Sequence, residues 1–410
     1  MENNNNNIKL NNMSEKKIIP AKRTENVRYA IRDIVVLAGQ VAKTGKEMLY
    51  INIGDPNVYD WKTPNHIIEA TYKAMLENQN GYSPSSGVPA AIKAIETEAH
   101  QKGIDNILDI FITTGGSEAI ELCLNALINP GDNFLMPTPG YPLYTAVESK
   151  LDAAQNPYYL DEKNGWQPDI EDIKSKINSR TKAIVLINPN NPTGSVCKKE
   201  TLLEIIKIAK ENDLVIMADE IYDKLLFDDA EMISIGSLDK EVSCITFCGL
   251  SKNYVVPGWR LGWGIVSGRE NIMKDYIESI NKLLRARLCA NHPEQYGLIA
   301  ALTGDQSHIP AMNKILQRRR DISLNIIKEI NGIDVVKPQG AFYAYASIDV
   351  DDDTKFCQEL LKETGVVVVP GSGFGKKDGT NYFRYVILPN EEILEKAFNK
   401  IADFYTKYKK

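Results

Sequence analysis

The sequence predicts an α/β protein, with a large domain built on a mainly parallel central sheet between helices and a small α+β domain beside it. Three observations predict it. From about residue 107 to 283, short and almost continuously apolar runs alternate with helical stretches, as strands buried on both faces of a parallel sheet require. After a long charged helix over about 310–331, the tail has its own short strands and a closing helix, an α+β pattern. A chain of 410 residues also exceeds what one simple core holds, so two domains are expected.

In chain order, residues 1–14 are an asparagine-rich leader without the apolar run of a signal peptide, and read as disordered. Residues 15–60 are expected to join the small domain, 61–305 to form the large one, and 306–410 to complete the small one. Apolar positions at helical spacing over 26–43 place Tyr29 and Arg32 on one helix face. A short strand, 49–53, stops at the turn Gly54-Asp-Pro56, and a helix runs from Pro64 to about Asn78. The loop 81–87 leads to another helix opened by Pro89. Strands are then expected at 107–113, 133–136, 183–187, 214–217, 244–248 and 262–266, with helices at 117–128, 141–149, 200–212 and 269–283. The tail adds a helix over about 310–331, strands at 341–346, 366–369 and 382–388, and a last helix from about Glu391.

Composition narrows the function. The chain is 43% hydrophobic and 25% charged with both signs interspersed, as in a soluble globular protein. A net charge of -6 without a basic stripe argues against a nucleic-acid partner. Cysteines 123, 197, 244, 248, 289 and 357 are scattered, several in apolar runs, as small buried hydrophobes of a reducing compartment would be. No CxxC pair occurs and histidines 66, 100, 292 and 308 lie far apart, so no metal site is expected. No run reaches the ~18 apolar residues of a membrane span, and a cytoplasmic location is expected.

Ligands of such sheets collect at the carboxyl ends of the strands, so the loops that follow each strand are the informative ones. Thr113-Thr-Gly115-Gly116-Ser117 leads straight into a helix, where glycines and free N–H groups can cradle an anion; Ser117 alone would also serve as a plain helix cap. Pro137-Thr-Pro-Gly-Tyr141 presents an aromatic ring on a proline-braced loop, where it could stack on a flat ligand or merely anchor the turn. Asn188-Pro-Asn-Asn191-Pro-Thr-Gly194 points an amide outward. Asp219-Glu-Ile-Tyr222 offers a carboxylate for a cationic ring nitrogen, with Tyr222 on the same face if a helix begins there. Gly249-Leu-Ser251-Lys252 places a lysine at the mouth of a buried strand, and Arg260 follows in a Gly-Trp-Arg-Leu-Gly corner. A lysine at the mouth of a buried strand is costly unless its amine is neutralised, paired or covalently used, so the stretch reads either as a Schiff-base lysine beside a phosphate-holding arginine or as an ordinary surface lysine after a strand.

From about Arg28 to the C-terminus the chain resembles the fold-type-I pyridoxal-phosphate-dependent aminotransferases of class I/II. Leu49-Tyr-Ile-Asn-Ile-Gly-Asp-Pro56, Ala218-Asp-Glu-Ile-Tyr-Asp-Lys224, Gly249-Leu-Ser-Lys252, Arg287-Leu-Cys-Ala-Asn291 and Phe383-Arg384 make it most similar to the prokaryotic alanine branch, which exchanges amino groups between glutamate and pyruvate. The resemblance implies pyridoxal 5′-phosphate as cofactor, bonded to Lys252, whose amine then carries the proton between Cα and C4′. It implies that Asp219 keeps the pyridine nitrogen protonated, Asn191 and Tyr222 hold the phenolic oxygen, and Tyr141 stacks on the ring. Gly115, Gly116, Ser117, Ser251 and Arg260 would hold the phosphate, joined by Tyr82 from the partner subunit of a homodimer. Arg384 and the backbone at Gly54 would receive the substrate α-carboxylate. For the distal carboxylate of glutamate, Arg32 with Tyr29 would form a lid, with Arg28 and Arg287 as rivals.

One position departs from many relatives: Gly249 stands where they carry a serine that helps hold phosphate, as is common in the alanine branch. Aspartate-type or aromatic-type aminotransferases and a C–S lyase on the same fold remain alternatives. A DNA-binding regulator would need an added N-terminal domain, and only the asparagine-rich leader precedes the fold. A dehydrogenase is excluded because Gly371-Ser-Gly-Phe-Gly375 lies in the tail module rather than after the first strand. Ser14-Glu-Lys-Lys17 and Lys43-Thr-Gly45 do not amount to a penicillin-binding site, since the first lies in the leader.

Overall fold

The computed structural model describes residues 17–27 and 30–409. The leader, Arg28 and Tyr29 lie outside the described residues, and so does the side chain of Arg32.

A large sheet forms from β2 (Ile107–Thr113), β3 (Asn133–Thr138), β4 (Pro157–Asp161), β5 (Gln167–Pro168), β6 (Thr181–Ile187), β7 (Val215–Asp219), β8 (Cys244–Gly249) and β9 (Gly262–Ser267). Its eight strands run in the order β2-β9-β8-β7-β6-β3-β4-β5. The pairs from β8 through β7, β6 and β3 to β4 are parallel, whereas β9 is antiparallel to both its neighbours and β5 to β4. Two reversals in series leave β2 parallel to β8. The strands β7, β8 and β9 are buried along their whole length, which is why they read as unbroken apolar runs rather than as alternation.

A second, antiparallel sheet takes β10 (Ile333–Val335), β11 (Tyr343–Ile348), β13 (Val369–Pro370) and β14 (Tyr382–Val386) in the order β10-β11-β14-β13. The N-terminal strand β1 (Leu49–Tyr50) pairs in parallel with β12 (Val366–Val367). The single strand expected over 366–369 is thus two, which serve different sheets, with the chain crossing between them at the buried Val368.

The helices are α1 (Ala30–Ala42), α2 (Asn65–Leu76), α3 (Pro89–Gln101), α4 (Gly116–Leu127), α5 (Pro142–Lys150), α6 (Ile170–Lys176), α7 (Lys199–Glu211), α8 (Glu270–Ala286), α9 (Pro293–Thr303), α10 (His308–Ile327), α11 (Asp353–Thr364) and α12 (Glu391–Tyr408). Helix α7 illustrates the pattern: Leu202, Ile205, Ile206 and Ala209 recur at helical spacing and are all buried against the sheet. Side-chain caps start several helices, with Asp352 accepting from Thr354 and Lys355 N–H in α11 and Asn390 from Ile393 N–H in α12. Helix α11 stops at Gly365, whose φ of 76° suits glycine and whose missing Cβ leaves room for the Glu47 carbonyl beside β1.

Apolar clusters fill both faces of the large sheet. One joins β2, β3 and β7 to α4 and α8, the other joins β8 and β9 to α3 and α9. The largest runs from α7 through β11 and β14 to α12 and ties the second sheet to the first.

Candidate active site

Strand direction decides which loops meet. β2, β3, β6, β7 and β8 point the same way, so residues 114–117, 139–141, 188–194, 220–224 and 250–253 gather at one edge of the sheet. Arg260 precedes β9, and because β9 runs backwards the arginine arrives at that same edge. One cavity there is lined by Gly116, Ser117, Tyr141, Asn191, Asp219, Tyr222, Ser251, Lys252 and Arg260, and also by Tyr343 from β11.

At one end, Gly115 caps α4 with φ 82°, and the first N–H groups of the helix open into the cavity. Arg260, itself in the left-handed region at φ 53°, donates from Nη2 to Ser117 Oγ at 2.9 Å and from Nη1 to the Pro257 carbonyl at 3.2 Å. Any Cβ on residue 115 would collide with the Arg260 guanidinium, so glycine makes the close approach possible. A helix N-terminus, a hydroxyl and an arginine together form an anion cradle.

At the floor, Asp219 ends β7 and is buried. Its carboxylate accepts from Tyr144 Oη at 3.2 Å and from the Ile221 N–H at 3.4 Å. Burial pushes its pKa up to about 6, with those two bonds and Lys252 pulling the other way. No helix begins after it; residues 221–224 form a turn, and Tyr222 still reaches the cavity, donating to Tyr343 Oη at 3.2 Å.

Lys252 follows β8 in a tight turn, and its Nζ donates to the Gly54 carbonyl at 2.8 Å beneath the Phe342 ring. Burial lowers its pKa to about 8; Asp55 and Asp219 oppose the shift, while Arg260 and Arg384 add to it. Arg384 is buried on β14 between the Tyr343 and Phe374 rings, with centroids 4.5 and 4.6 Å from its guanidinium carbon. It donates to Asn191 Oδ1 at 3.2 Å and to the Asn52 carbonyl at 2.8 Å, so amide and guanidinium hold each other beside the cavity. Gly54 packs so closely on Tyr343 that a Cβ would strike the phenol oxygen.

Gly249 has a packing reason. A Cβ there would stand 3.0 Å from both Ile221 Cδ1 and the Leu261 carbonyl, so a serine would push on β9 just before the cradle. Two expected residues stay away from the cavity in this chain. Tyr82 is 83% exposed on the surface. Arg287 donates to the carbonyls of Ile112 at 2.6 Å and Ser85 at 3.3 Å and faces Glu118 at 3.7 Å, which commits it to holding the 81–87 loop. Tyr144, Phe342, Tyr343 and Phe374 were not singled out by sequence; three of them reach the site only through the second sheet or the segments beside it, and only Tyr144, in the first turn of α5, lies beside a motif loop.

An amine able to bond an aldehyde, set near a buried acid and an anion cradle, suits a flat ligand that carries aldehyde, ring nitrogen and phosphate together. Pyridoxal 5′-phosphate has all three: the start of α4 with Ser117 and Arg260 fits its phosphate, and the buried Asp219 carboxyl lining the same cavity fits its cationic ring nitrogen. The chain belongs to the aminotransferases of class I and II, whose family model matches residues 46–401, and it is a pyridoxal-phosphate enzyme that transfers amino groups.

Among its relatives, the glutamate-pyruvate aminotransferase AlaA of Escherichia coli (strain K12) is 39% identical over 95% of this chain and 98% of its own. The alanine aminotransferase of Mycobacterium tuberculosis (strain ATCC 25618 / H37Rv) is 38% identical over 94% of this chain and 92% of its own. In structure, the alanine aminotransferase from Pyrococcus furiosus superposes with a TM-score of 0.92 at 42% identity, covering 95% of this chain and all of that one. Among the described residues no helix is long and apolar enough to cross a membrane, and no cluster of His, Cys, Asp and Glu could hold a metal ion.

Proposed function

We propose that this enzyme is an alanine aminotransferase, moving the amino group of L-alanine to 2-oxoglutarate to give pyruvate and L-glutamate. What carries the reading is near-full-length similarity to proteins bearing that activity in their names, joined to a cavity that holds the residue types the chemistry needs. When bound, the cofactor supplies a ring that accepts the electron pair left at the substrate Cα.

In this reading Lys252 would hold the cofactor through its aldehyde, and the Lys252 amine is the group that would move a proton at the substrate Cα. Asp219 would keep the ring nitrogen charged, Asn191 and Tyr222 would hold the phenolic oxygen, and Tyr141 would stack on the ring. Gly115, Gly116, Ser117, Ser251 and Arg260 bind the phosphate. Arg384, with its planar fork already oriented by Asn191 and two aromatic rings, receives the α-carboxylate, next to the backbone at Gly54. The reading includes a homodimer in which Tyr82 of one subunit reaches the phosphate of the other, and a cytoplasmic location.

The test is a panel of amino donors mixed with the loaded enzyme, scored by loss of the cofactor's absorbance band and by pyruvate or other oxo acid formed. Alanine and glutamate should both discharge the band, with 2-oxoglutarate restoring it after alanine. An aspartate or aromatic donor at least tenfold faster than alanine would reassign the substrate. Pyruvate and ammonia released from cystathionine without an acceptor would mark a C–S lyase. Lys252→Ala should lose turnover with every donor, and retained activity would overturn the mechanism.

Glutamate needs a cation for its distal carboxylate that alanine does not, and Arg32, with Tyr29 nearby on the chain, is proposed for it. Arg32→Ala should raise KM for glutamate and 2-oxoglutarate about tenfold or more while leaving that for alanine nearly unchanged, as loss of one charge-assisted pair predicts. Equal KM values before and after would remove Arg32 from the site.

A further inference from the structure

Behind the Lys252 turn lies a group of buried charges that the chemistry above does not use. Asp223, four residues past Asp219, accepts a hydrogen bond from Asn253 Nδ2 at 2.6 Å and an ion pair from Lys102, which reaches in from just beyond α3. Asn253 and Asp223 are both buried, and the Lys102 side chain is 17% exposed. Lys102 Nζ also lies 3.5 Å from Cys248 Sγ, on the strand that delivers Lys252. On its other side, the Asn253 backbone carbonyl accepts from His308 Nε2 at 3.1 Å, at the start of α10. A carbonyl only accepts, so the His308 proton sits on Nε2. The His308 ring also packs on Tyr254, with centroids 5.5 Å apart.

The residue after Lys252 is thus gripped at both its side chain and its backbone. The grip on the side chain comes from the turn that follows Asp219. A charge-assisted hydrogen bond between buried partners is short and strong, and it ties two otherwise separate loops in register. A second pair beside it, Lys224 to Glu98 at 2.6 Å, ties that same turn to α3.

We propose that the Asp223–Asn253 hydrogen bond, backed by Lys102 and His308, is a positioning device: it locks the Lys252 turn against the Asp219 turn and so aims the Lys252 amine across the cavity. Asp223, Asn253, Lys102 and His308 are not among the residues that line the cavity, and in this proposal they act through the position of Lys252. The inference rests on the proposed bond between Lys252 and the cofactor.

Two double variants separate the hydrogen bond from the ion pair. K102M/D223N removes both charges but leaves an amide oxygen at residue 223 to accept from Asn253. K102M/D223A removes the charges and the acceptor. Three quantities are read on the loaded enzyme: kcat, KM for alanine, and the pH midpoint of the cofactor's absorbance change, which reports the surroundings of the lysine-bonded cofactor. K102M/D223N should stay within about threefold of the parent in kcat with the midpoint unmoved. K102M/D223A should lose about tenfold or more in kcat, as misplacement of a reacting group does, with KM within about twofold and the midpoint shifted by half a unit or more.

Asn253→Ala, which removes the donor and leaves the ion pair in place, should reproduce the K102M/D223A pattern even if the double variants fold poorly. A wild-type midpoint and kcat in Asn253→Ala, or two indistinguishable folded double variants, would overturn the proposal. The failures are distinguishable: activity retained by Lys252→Ala sinks the lysine assignment, whereas an unaffected Asn253→Ala beside an inactive Lys252→Ala sinks only the positioning device.

Discussion

Lys252 and Asp219 owe their chemistry to burial, and burial acts on them in opposite senses. It disfavours charge on both, so the lysine moves down to about 8 and the aspartate up to about 6. Only the neutral amine attacks an aldehyde. With a pKa of about 8, about one-tenth of Lys252 is neutral at pH 7, against fewer than about one in a thousand for an ordinary lysine near 10.4. The rate at which cofactor-free enzyme takes up pyridoxal phosphate should therefore rise about tenfold between pH 7 and 9 and then level off, followed by stopped-flow absorbance. A rate still climbing tenfold per unit beyond pH 9 would mean an unshifted lysine. On the acid side Asp219 loses its charge as pH falls through about 6, so the hold on a cationic ring nitrogen weakens there. Asp219→Asn should remove that acid limb and lower turnover by about a hundredfold, the scale expected when one preorganised electrostatic contact is lost.

At the level of elements, the site depends on strand direction more than on any one motif. The loops after β2, β6, β7 and β8 could be read from sequence because each follows a largely apolar run, and those runs are legible where a strand is buried on both faces. Arg260 shows the limit. Its motif was visible, but its arrival beside Ser117 depends on β9 running backwards between β2 and β8, and apolar runs carry no direction. The β4–β5 pair and α6 went unread because they are short, five, two and seven residues, and their strands mix proline and charge with apolar residues. Tyr343 was unreadable for a different reason. It lies 91 positions after Lys252, and only the pairing of β11 with β14 sets it against Arg384 and under Gly54. Long-range pairing is a tertiary fact, and no local spacing announces it. The positioning grip on Asn253 is of the same kind, since Lys102, Asp223 and His308 come from three distant stretches.

For the whole molecule, the proposed homodimer gives a physical account of a surface that one chain leaves open. Helix α2 turns Ile67, Thr71 and Ala74 inward, as an amphipathic helix should. A flanking side is also apolar: Ile68, Tyr72, Met75 and Leu76 recur at helical spacing and are exposed, Tyr72 by 61% and Leu76 by 69%. Tyr82, 83% exposed, stands a few residues further along the chain. Contiguous apolar surface of this kind is expensive in water and marks a contact face. A second copy of this chain is the natural occupant, because a two-fold contact would bury the stripe on both subunits at once and carry each Tyr82 toward its partner. If so, charge on the stripe should split the dimer and take the cofactor site with it. Tyr72→Glu combined with Leu76→Lys should shift the protein from dimer to monomer in sedimentation velocity and weaken pyridoxal phosphate binding. Tyr82→Phe in an intact dimer should weaken the cofactor by about tenfold, the loss of one hydrogen bond to a charged group, without changing the oligomeric state. A double variant that stays dimeric would place the interface elsewhere. A monomer that binds cofactor as tightly as the parent would show that each chain completes its own site.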